Sequence, residues 1–549
     1  LRRNFIMKKL FQAARRVVPV GMANAVIVVL LVVSGSLSWT HLVANAAAFP
    51  PTVVRGMHVE TSIGPGTIEH LRTSYGANAV RIGLNPRSID DNSNDVHRGQ
   101  AFEIALDKAE ILLREVSKQG MYAIIDLHNT SSTDLPVTSA FWNNEANKQI
   151  WINNWKAIVQ RFLPYKAHIW GYDILNEPTM DNSQAAANYL LWATDIVAAI
   201  RTFDVDTPVI VEGTPWANAS NFGNGGSGIP IINDSKVIYS FHFYDPYNYT
   251  HQGMSVYNNQ PTTSSWSDQS SYPGTIGSTY YDKNKLQQLM QPVRDFQLAN
   301  NNVPIYVGEF SALRWAPGAA QYISDAISVF EQYGWSWTFF GYQSFQGWDP
   351  DFSSLMTSDA NSAAALSATD TDRAIVLKEA FQPNTYSTND DIQGKGINLA
   401  YNGNMELDSN NNGTADYWSK GPYVTLTRIA NGIGGKGQQV TTSQTDVQGL
   451  SSALIGVSDN HQYVLTASMK VNQGSSGTFY AREINRTFGY VGSKVVSSFT
   501  STGGQYITKS LVFTPDPGTT SIIIRFDTNG AATFVVDNVQ LYDLGKVSW

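Results

Sequence analysis

Ile169-Trp170-Gly171-Tyr172-Asp173-Ile174-Leu175-Asn176-Glu177-Pro178 is the segment from which the architecture can be built outward. Ile169–Leu175 is apolar at most positions, the pattern of a strand covered on both faces. Pro178 helps to stop it. A carboxyl group, Glu177, is thereby left at the strand's C-terminal end. Seven further runs read as strands: Val53–Met57, Ala79–Leu84, Tyr122–Leu127, Pro208–Glu212, Val237–Tyr244, Pro304–Phe310 and Trp335–Tyr342. Amphipathic helix patterns lie between them, among them Phe102–Gln119, Asn147–Phe162, Ala185–Phe203 and Ala319–Tyr333. Eight strand–helix units in about 330 residues predict an α/β chain with a (β/α)8 TIM barrel.

The rest of the 549 residues divides around that barrel, which spans 47–382. Residues 383–396 are polar, contain Pro and Gly, and read as a linker. From 397 to 549 helical periodicity disappears. Strand runs recur at Tyr463–Val471, Thr478–Ile484, Tyr506–Phe513, Thr520–Phe526 and Thr533–Tyr542, which predicts a β-sandwich of the jelly-roll kind. Residues 1–46 read as a signal peptide: a basic start (Met7-Lys8-Lys9, Arg15-Arg16), the apolar run Ala25–Val33, and an Ala44-Asn45-Ala46 cleavage site. Cleavage makes the protein secreted. An uncleaved segment, uncharged from Arg16 to Arg55, would instead anchor it in a membrane.

Composition narrows the partners. Charged residues are 15% of the chain and aromatic residues 12%, with no cysteine, so disulfides and thiolate metal sites are excluded. Net charge is −8; the first 46 residues carry six basic and no acidic residues, and their loss leaves 31 Lys and Arg against 45 Asp and Glu, a net −14. Nucleic acid and anionic membrane are disfavoured as partners. A polysaccharide substrate acted on by a monomer is the expectation.

The functional face of a TIM barrel is the one at the C-terminal ends of its strands. Glu177 ends the fourth strand and Glu309, in Ile305-Tyr306-Val307-Gly308-Glu309-Phe310, ends the seventh. Two carboxyl groups at one mouth suit glycosidic cleavage, in which one attacks the anomeric carbon and the other handles the proton. Retaining pairs lie about 5–5.5 Å apart and inverting pairs about 6.5–9.5 Å. Glu212 and Asp126 also end strands, and spacing alone eliminates neither.

The set Ala79-Val80-Arg81-Ile82, Asp126-Leu127-His128, Asn176-Glu177-Pro178, His242-Phe243-Tyr244 and Gly308-Glu309-Phe310 resembles glycoside hydrolase family five over about residues 50–350. The resemblance implies a retaining β-glycosidase with Glu309 as nucleophile and Glu177 as acid/base. It implies Arg81 and Tyr244 holding Glu309, His242 orienting Glu177, Asn176 on the sugar 2-hydroxyl and His128 on other hydroxyls. Phe241–Pro246 with Thr250-His251-Gln252 resembles the cellulase branch, so a β-1,4-glucan is expected before a mannan. The family's eighth-strand Trp has no clear equivalent; Trp337, Phe340 and Trp348 are the candidate sugar platforms. Catalysis is expected to need no cofactor. The rivals are a metal-dependent hydrolase using His58, Glu60, His128 and His242, and a carbohydrate-binding barrel without activity.

The C-terminal segment resembles jelly-roll carbohydrate-binding modules at Asn402-Gly403-Asn404-Met405-Glu406 and Phe534–Val539. Trp418, Tyr423, Tyr480 and Tyr490 are candidates for sugar stacking or for core. Asp408, Asn410, Asn412 and Asp416 fall on alternate positions around Gly413, a spacing that fits a structural calcium or an Asn-rich turn. Deleting 397–549 is expected to weaken attack on insoluble polymer and to spare soluble oligosaccharides.

Overall fold

The computed structural model describes residues 52–89, 95–180, 182–223, 228–254, 270–354, 366–392, 396–443 and 447–547. The segment read as a signal peptide lies outside them. Eight parallel strands close a barrel: β1 Arg55–Glu60, β2 Ala79–Gly83, β3 Tyr122–Asp126, β4 Ile169–Asp173, β5 Val209–Glu212, β6 Val237–Phe243, β7 Ile305–Phe310 and β8 Ser336–Tyr342. Each pairs with its neighbour in sequence, and β8 returns to β1 with Trp337 opposite Arg55. The TIM barrel expected from the apolar runs is therefore present.

The strands are apolar throughout because both of their faces are covered. Outside them pack helices such as Glu145–Phe162, Ser183–Arg201 and Ala319–Tyr333. Ala319–Tyr333 turns Tyr322, Ile323, Ala326, Ile327 and Phe330 inward at three- and four-residue spacing. Ser183–Arg201 begins at Asn182, whose side chain accepts the Ala185 N–H. Inside, a separate apolar cluster including Ala79, Ile124, Trp170, Ile210 and Tyr306 fills the lower barrel. The Trp170 indole reaches across to donate to the Thr52 carbonyl at 2.7 Å. With the lower end plugged, polar side chains have only the upper mouth to occupy.

The stretch read as a linker has neither helix nor strand in its described part, 383–392 and 396. It is fastened to the barrel nonetheless. Asn384 donates to the Arg55 and Gly76 carbonyls at 3.2 and 2.9 Å, Tyr386 donates to Gly76 at 2.8 Å, and Asp390 lies 2.9 Å from buried His168. The Arg72 guanidinium sits over the Tyr386 ring at 3.4 Å.

The C-terminal region is all β, in two antiparallel sheets. One runs Trp418–Lys420, Val447–Ser452, Thr519–Thr528, Gly477–Asn485, Tyr490–Phe499. The other runs Val424–Ile429, Gly437–Thr442, Ala532–Lys546, His461–Val471, Ile507–Phe513. Phe479 and Phe526 stack between neighbouring strands at 4.5 Å. Trp418 is core: it is buried, and its indole donates to the Tyr401 carbonyl at 3.1 Å. Tyr423 and Tyr490 are exposed.

The loop read as a calcium site is closed by its own backbone. Asp408 accepts the Asn412 and Gly413 N–H groups at 3.0 Å, and Asn410 accepts the Asn412 N–H at 3.1 Å. Asn412 accepts the Thr414 N–H at 2.8 Å, and Asp416 accepts the Ser409 hydroxyl at 2.7 Å. These are the side-chain-to-backbone bonds of an Asn-rich turn, the alternative that the same alternate spacing allows. Among the described residues no helix is long and apolar enough to cross a membrane.

Candidate active site

Arg81 sits on β2 in the barrel's centre, fully buried among carboxylates. Its guanidinium reaches Glu309 at 2.7 Å, Asp173 at 3.0 Å, Asp126 at 3.1 Å and Glu212 at 3.3 Å. It also donates to Asn176 Oδ1 at 3.1 Å. Burying such a group is costly unless it is paired, and removing one partner of a buried pair typically costs about 3–5 kcal/mol. A cluster this charged fixes positions rather than adding stability.

The two candidate catalytic carboxyls meet at this mouth. Glu309 takes Arg81 on Oε1 and the Tyr244 hydroxyl on Oε2 at 2.9 Å. Glu177 Oε1 lies 2.8 Å from His242 Nδ1, and His242 Nε2 lies 2.9 Å from Glu212 Oε1. Carboxylate oxygens of Glu177 and Glu309 and a ring nitrogen of His242 all fall within 4.8 Å of one another. Gly308 makes room for this: a Cβ there would stand 2.7 Å from His242 Nε2. Glu177 itself has φ +44°, a left-handed backbone uncommon outside glycine. Its N–H donates to Glu212 Oε2 at 2.6 Å. Glu212, the competitor from β5, is wholly buried and braces both Glu177 and His242. Asp126 is likewise buried, against Arg81 and His128.

The environment drives the pair apart. Burial pushes the Glu177 carboxyl up, and Glu309 and Glu212 add to that, against an opposing pull from His242. Burial acts to raise Glu309 as well, but the charges of His242 and Arg81 outweigh it and bring Glu309 down to about 2. Burial lowers His242, yet the facing Glu212, Glu309 and Glu177 lift it well above its ordinary value. His128 is lifted to about 9, its burial outweighed by Asp126. Glu177 is thus raised while Glu309 is lowered, and two carboxyls pushed apart in this way are the pattern by which paired groups divide acid and base roles.

Arg81, Asn176, Glu177, His242, Tyr244 and Glu309 are brought together in one network, with His128 beside it through Asp126. The platform candidates separate. Trp337 is fully buried on the outer side of β8, its indole donating to Glu331 at 2.8 Å and its ring stacked on Phe381 at 5.3 Å. It is core, because alternate strand positions face opposite ways. Phe340 and Trp348 stand at the mouth: Trp348 lies 5.9 Å from Tyr244 and 6.3 Å from Phe340. The expected metal set does not form one group. His58 and His128 cluster with Asp126, whereas His242 belongs with Glu177 and Glu309, and the Arg81 guanidinium stands 3.2 Å from His58 Nδ1.

Two aromatics near Glu177 were not anticipated. Trp216, about half exposed, has its N–H 3.1 Å from the Thr179 hydroxyl. Tyr247, also half exposed, stacks on His251 at 3.9 Å. The four-residue spacing from Tyr247, at the start of a short helix, to His251, its C-cap, is the signal that would have found that pair.

Residues 50–346 match the family model described as Cellulase (glycosyl hydrolase family 5). Endoglucanase C of Acetivibrio thermocellus is 21% identical over 306 residues, which cover 50% of this chain and 82% of the relative. Cellulase/esterase CelE of the same organism is 26% identical over 263 residues, covering 45% of this chain and 28% of the relative. Among solved structures, Cel5A of Thermotoga maritima in complex with cellobiose is 18% identical, covers 60% of this chain and 96% of its own, and has a TM-score of 0.45. With more than half of the chain matched, the protein belongs to glycosyl hydrolase family 5, the cellulase family, and is a glycoside hydrolase.

Proposed function

We propose that the protein is a secreted, retaining endo-type β-glycosidase cleaving β-1,4-linked glucan, with Glu309 as nucleophile and Glu177 as acid/base. The observation that carries this is the approach of the two carboxyl groups to within 4.8 Å, oxygen to oxygen. That closeness suits direct attack better than the insertion of a water. A Glu309 oxygen attacks the anomeric carbon. The glycosidic C–O bond breaks, and its electron pair stays on the leaving oxygen, which takes the Glu177 proton. Water then gives a proton to Glu177 and its oxygen displaces Glu309 from the anomeric carbon. Arg81 and Tyr244 hold Glu309 throughout. Asn176, fixed by Arg81, is the candidate partner of the 2-hydroxyl, and His128 of other hydroxyls. Phe340 and Trp348 are the candidate stacking faces. Family members need no cofactor for this chemistry.

The glucan preference is supported by relatives named as endoglucanases. Export is supported by residues 1–46 alone. A sugar-binding role for the sandwich is supported by one outer face where Tyr480, Arg482, Tyr490 and Asp527 lie together. Proton NMR of a soluble glucan digest tests the reaction: the β anomer should appear first and mutarotate later. First appearance of the α anomer, or cleavage of mannan but not glucan, would overturn the corresponding part.

The pH dependence of kcat/KM follows from the two environments. Activity should fall as pH drops toward the Glu309 value of about 2, because the nucleophile is then protonated. It should fall again as pH rises through the raised Glu177 value, because the acid is then lost. An alkaline limb that persists unchanged in Glu177→Gln would assign that limb to another group.

A further inference from the structure

The sandwich touches the barrel at the loops after β1 and β8, and one arginine makes the contact with the second of them. Arg486 lies in the turn between sandwich strands Gly477–Asn485 and Tyr490–Phe499. Its guanidinium pairs with Asp351 at 2.6 Å and, through its other nitrogen, with Asp349. It also sits over the rings of Tyr342 and Phe352, at 4.5 and 5.5 Å. Asp349 and Asp351 belong to the loop that follows β8, and Asp349 is almost completely buried. Among the described residues Arg486 is the only cation at ion-pair distance from either acid.

That loop reaches the reacting centre in two steps. Trp348 precedes Asp349 and packs against His251 at 4.9 Å and Tyr244 at 5.9 Å. Tyr244 in turn donates to Glu309. The neighbouring loop after β1 is closed onto the sandwich as well: the Gly66 N–H donates to Ser458 Oγ at 2.6 Å, and a Cβ on Gly64 would stand 2.3 Å from the Val457 carbonyl. Backbone approach this close belongs to a built wall rather than to a tethered neighbour.

We propose that Arg486 of the β-sandwich is a positioning residue of the barrel's active site, clasping the loop after β8 so that Trp348 is held against Tyr244. Without it two adjacent acids lose their counter-charge and the loop loses its fixed position. Misplacement of about 1 Å is worth roughly 100-fold in rate. The sandwich therefore contributes to turnover of soluble oligosaccharides, which replaces the expectation that its loss would spare them. This deepens the glycosidase reading and rests on it.

The test uses the full-length chain with Arg486→Gln and Arg486→Lys. Two readouts are taken: kcat and KM on a soluble cello-oligosaccharide, and hydrogen exchange of the peptide spanning 343–354 in the absence of substrate. Arg486→Gln should lower kcat/KM roughly 10- to 100-fold, through kcat as well as KM, and speed exchange in that peptide. Arg486→Lys should recover much of both, since it restores the charge. Wild-type kinetics and exchange in Arg486→Gln would overturn the proposal. So would equal losses in both variants with KM unchanged and exchange raised throughout the chain, which is general destabilisation. If Arg486→Gln does not fold, the triple variant Arg486→Gln, Asp349→Asn, Asp351→Asn removes the clasp without stranding either sign of charge, and unchanged kinetics there would overturn it too. A wild-type protein that cleaves no β-glycan defeats the glycosidase reading, and exchange at 343–354 still decides the clasp.

Discussion

Glu309→Gln is expected to reduce kcat on soluble β-1,4-glucan by about ten-thousandfold or more while leaving the protein folded. The scale is that of losing one member of a covalent-catalytic unit. Glutamine preserves the shape and can still accept the Tyr244 hydroxyl, but its amide is a poor nucleophile. Stability should hold because Arg81 keeps Asp126, Asp173 and Glu212 as partners. The cluster carries more carboxyls than Arg81 can neutralise: burial, and then Glu212, push Asp173 well above its ordinary value. Losing one negative charge relieves that crowding. The measurement is kcat alongside thermal unfolding. Activity within a few-fold of wild type would remove Glu309 from the nucleophile's role, and the proposed double displacement with it.

The second large effect depends on the leaving group. Glu177→Ala should slow cleavage of natural glucan by about 100- to 10,000-fold, the usual worth of a positioned acid. Dinitrophenyl cellobioside, whose phenolate leaves without a proton, should form the glycosyl-enzyme at close to the wild-type rate. The intermediate should then accumulate, because the base that activates water is also missing, and a burst of phenolate should precede a slow steady state. Equal loss on both substrates, without a burst, would make Glu177 structural. Glu212 is the control. It receives the Glu177 N–H at 2.6 Å and is wholly buried, so it has no path to substrate.

The barrel was legible because its strands are short, apolar and punctuated, and its functional face lies at the strands' C-terminal ends. That rule offers Glu177 and Glu309 together with Glu212 and Asp126; Arg81, Asn176, His242 and Tyr244 are legible only through the resemblance to glycoside hydrolase family five, and Arg81 lies in the middle of its strand. Trp337 and Phe340 were harder to separate. They lie three residues apart on β8 and so face opposite ways, but alternation says which is inward only once one neighbour's facing is known, and both are aromatic. In the sandwich, His461–Val471 announces itself by alternation. Gly437–Thr442 and Tyr490–Phe499 do not, being rich in Gln, Thr, Ser and Gly, and among the described residues Tyr490–Phe499 is a sheet-edge strand paired on one side. The Asp408–Asp416 loop offered oxygens in an order that suits a cation and a turn equally. Arg486 gave no local sign at all, since its partners lie 135 and 137 positions earlier in the chain.

The polar strap at 384–390 bears on how this enzyme can be re-engineered. Modular hydrolases invite cassette exchange, with the joint placed in whichever segment looks least ordered. Here a joint at residue 382 would discard Asn384 and Tyr386, and with them the donors that seal the Arg55 and Gly76 carbonyls. His168 would lose Asp390 at the same stroke. Grafts that keep the native chain through Asp390 should express as soluble protein, and grafts cut before Asn384 should be recovered mostly as aggregate. The barrel's own fold ends after its strap rather than at its last helix, and its turnover draws on the sandwich as well.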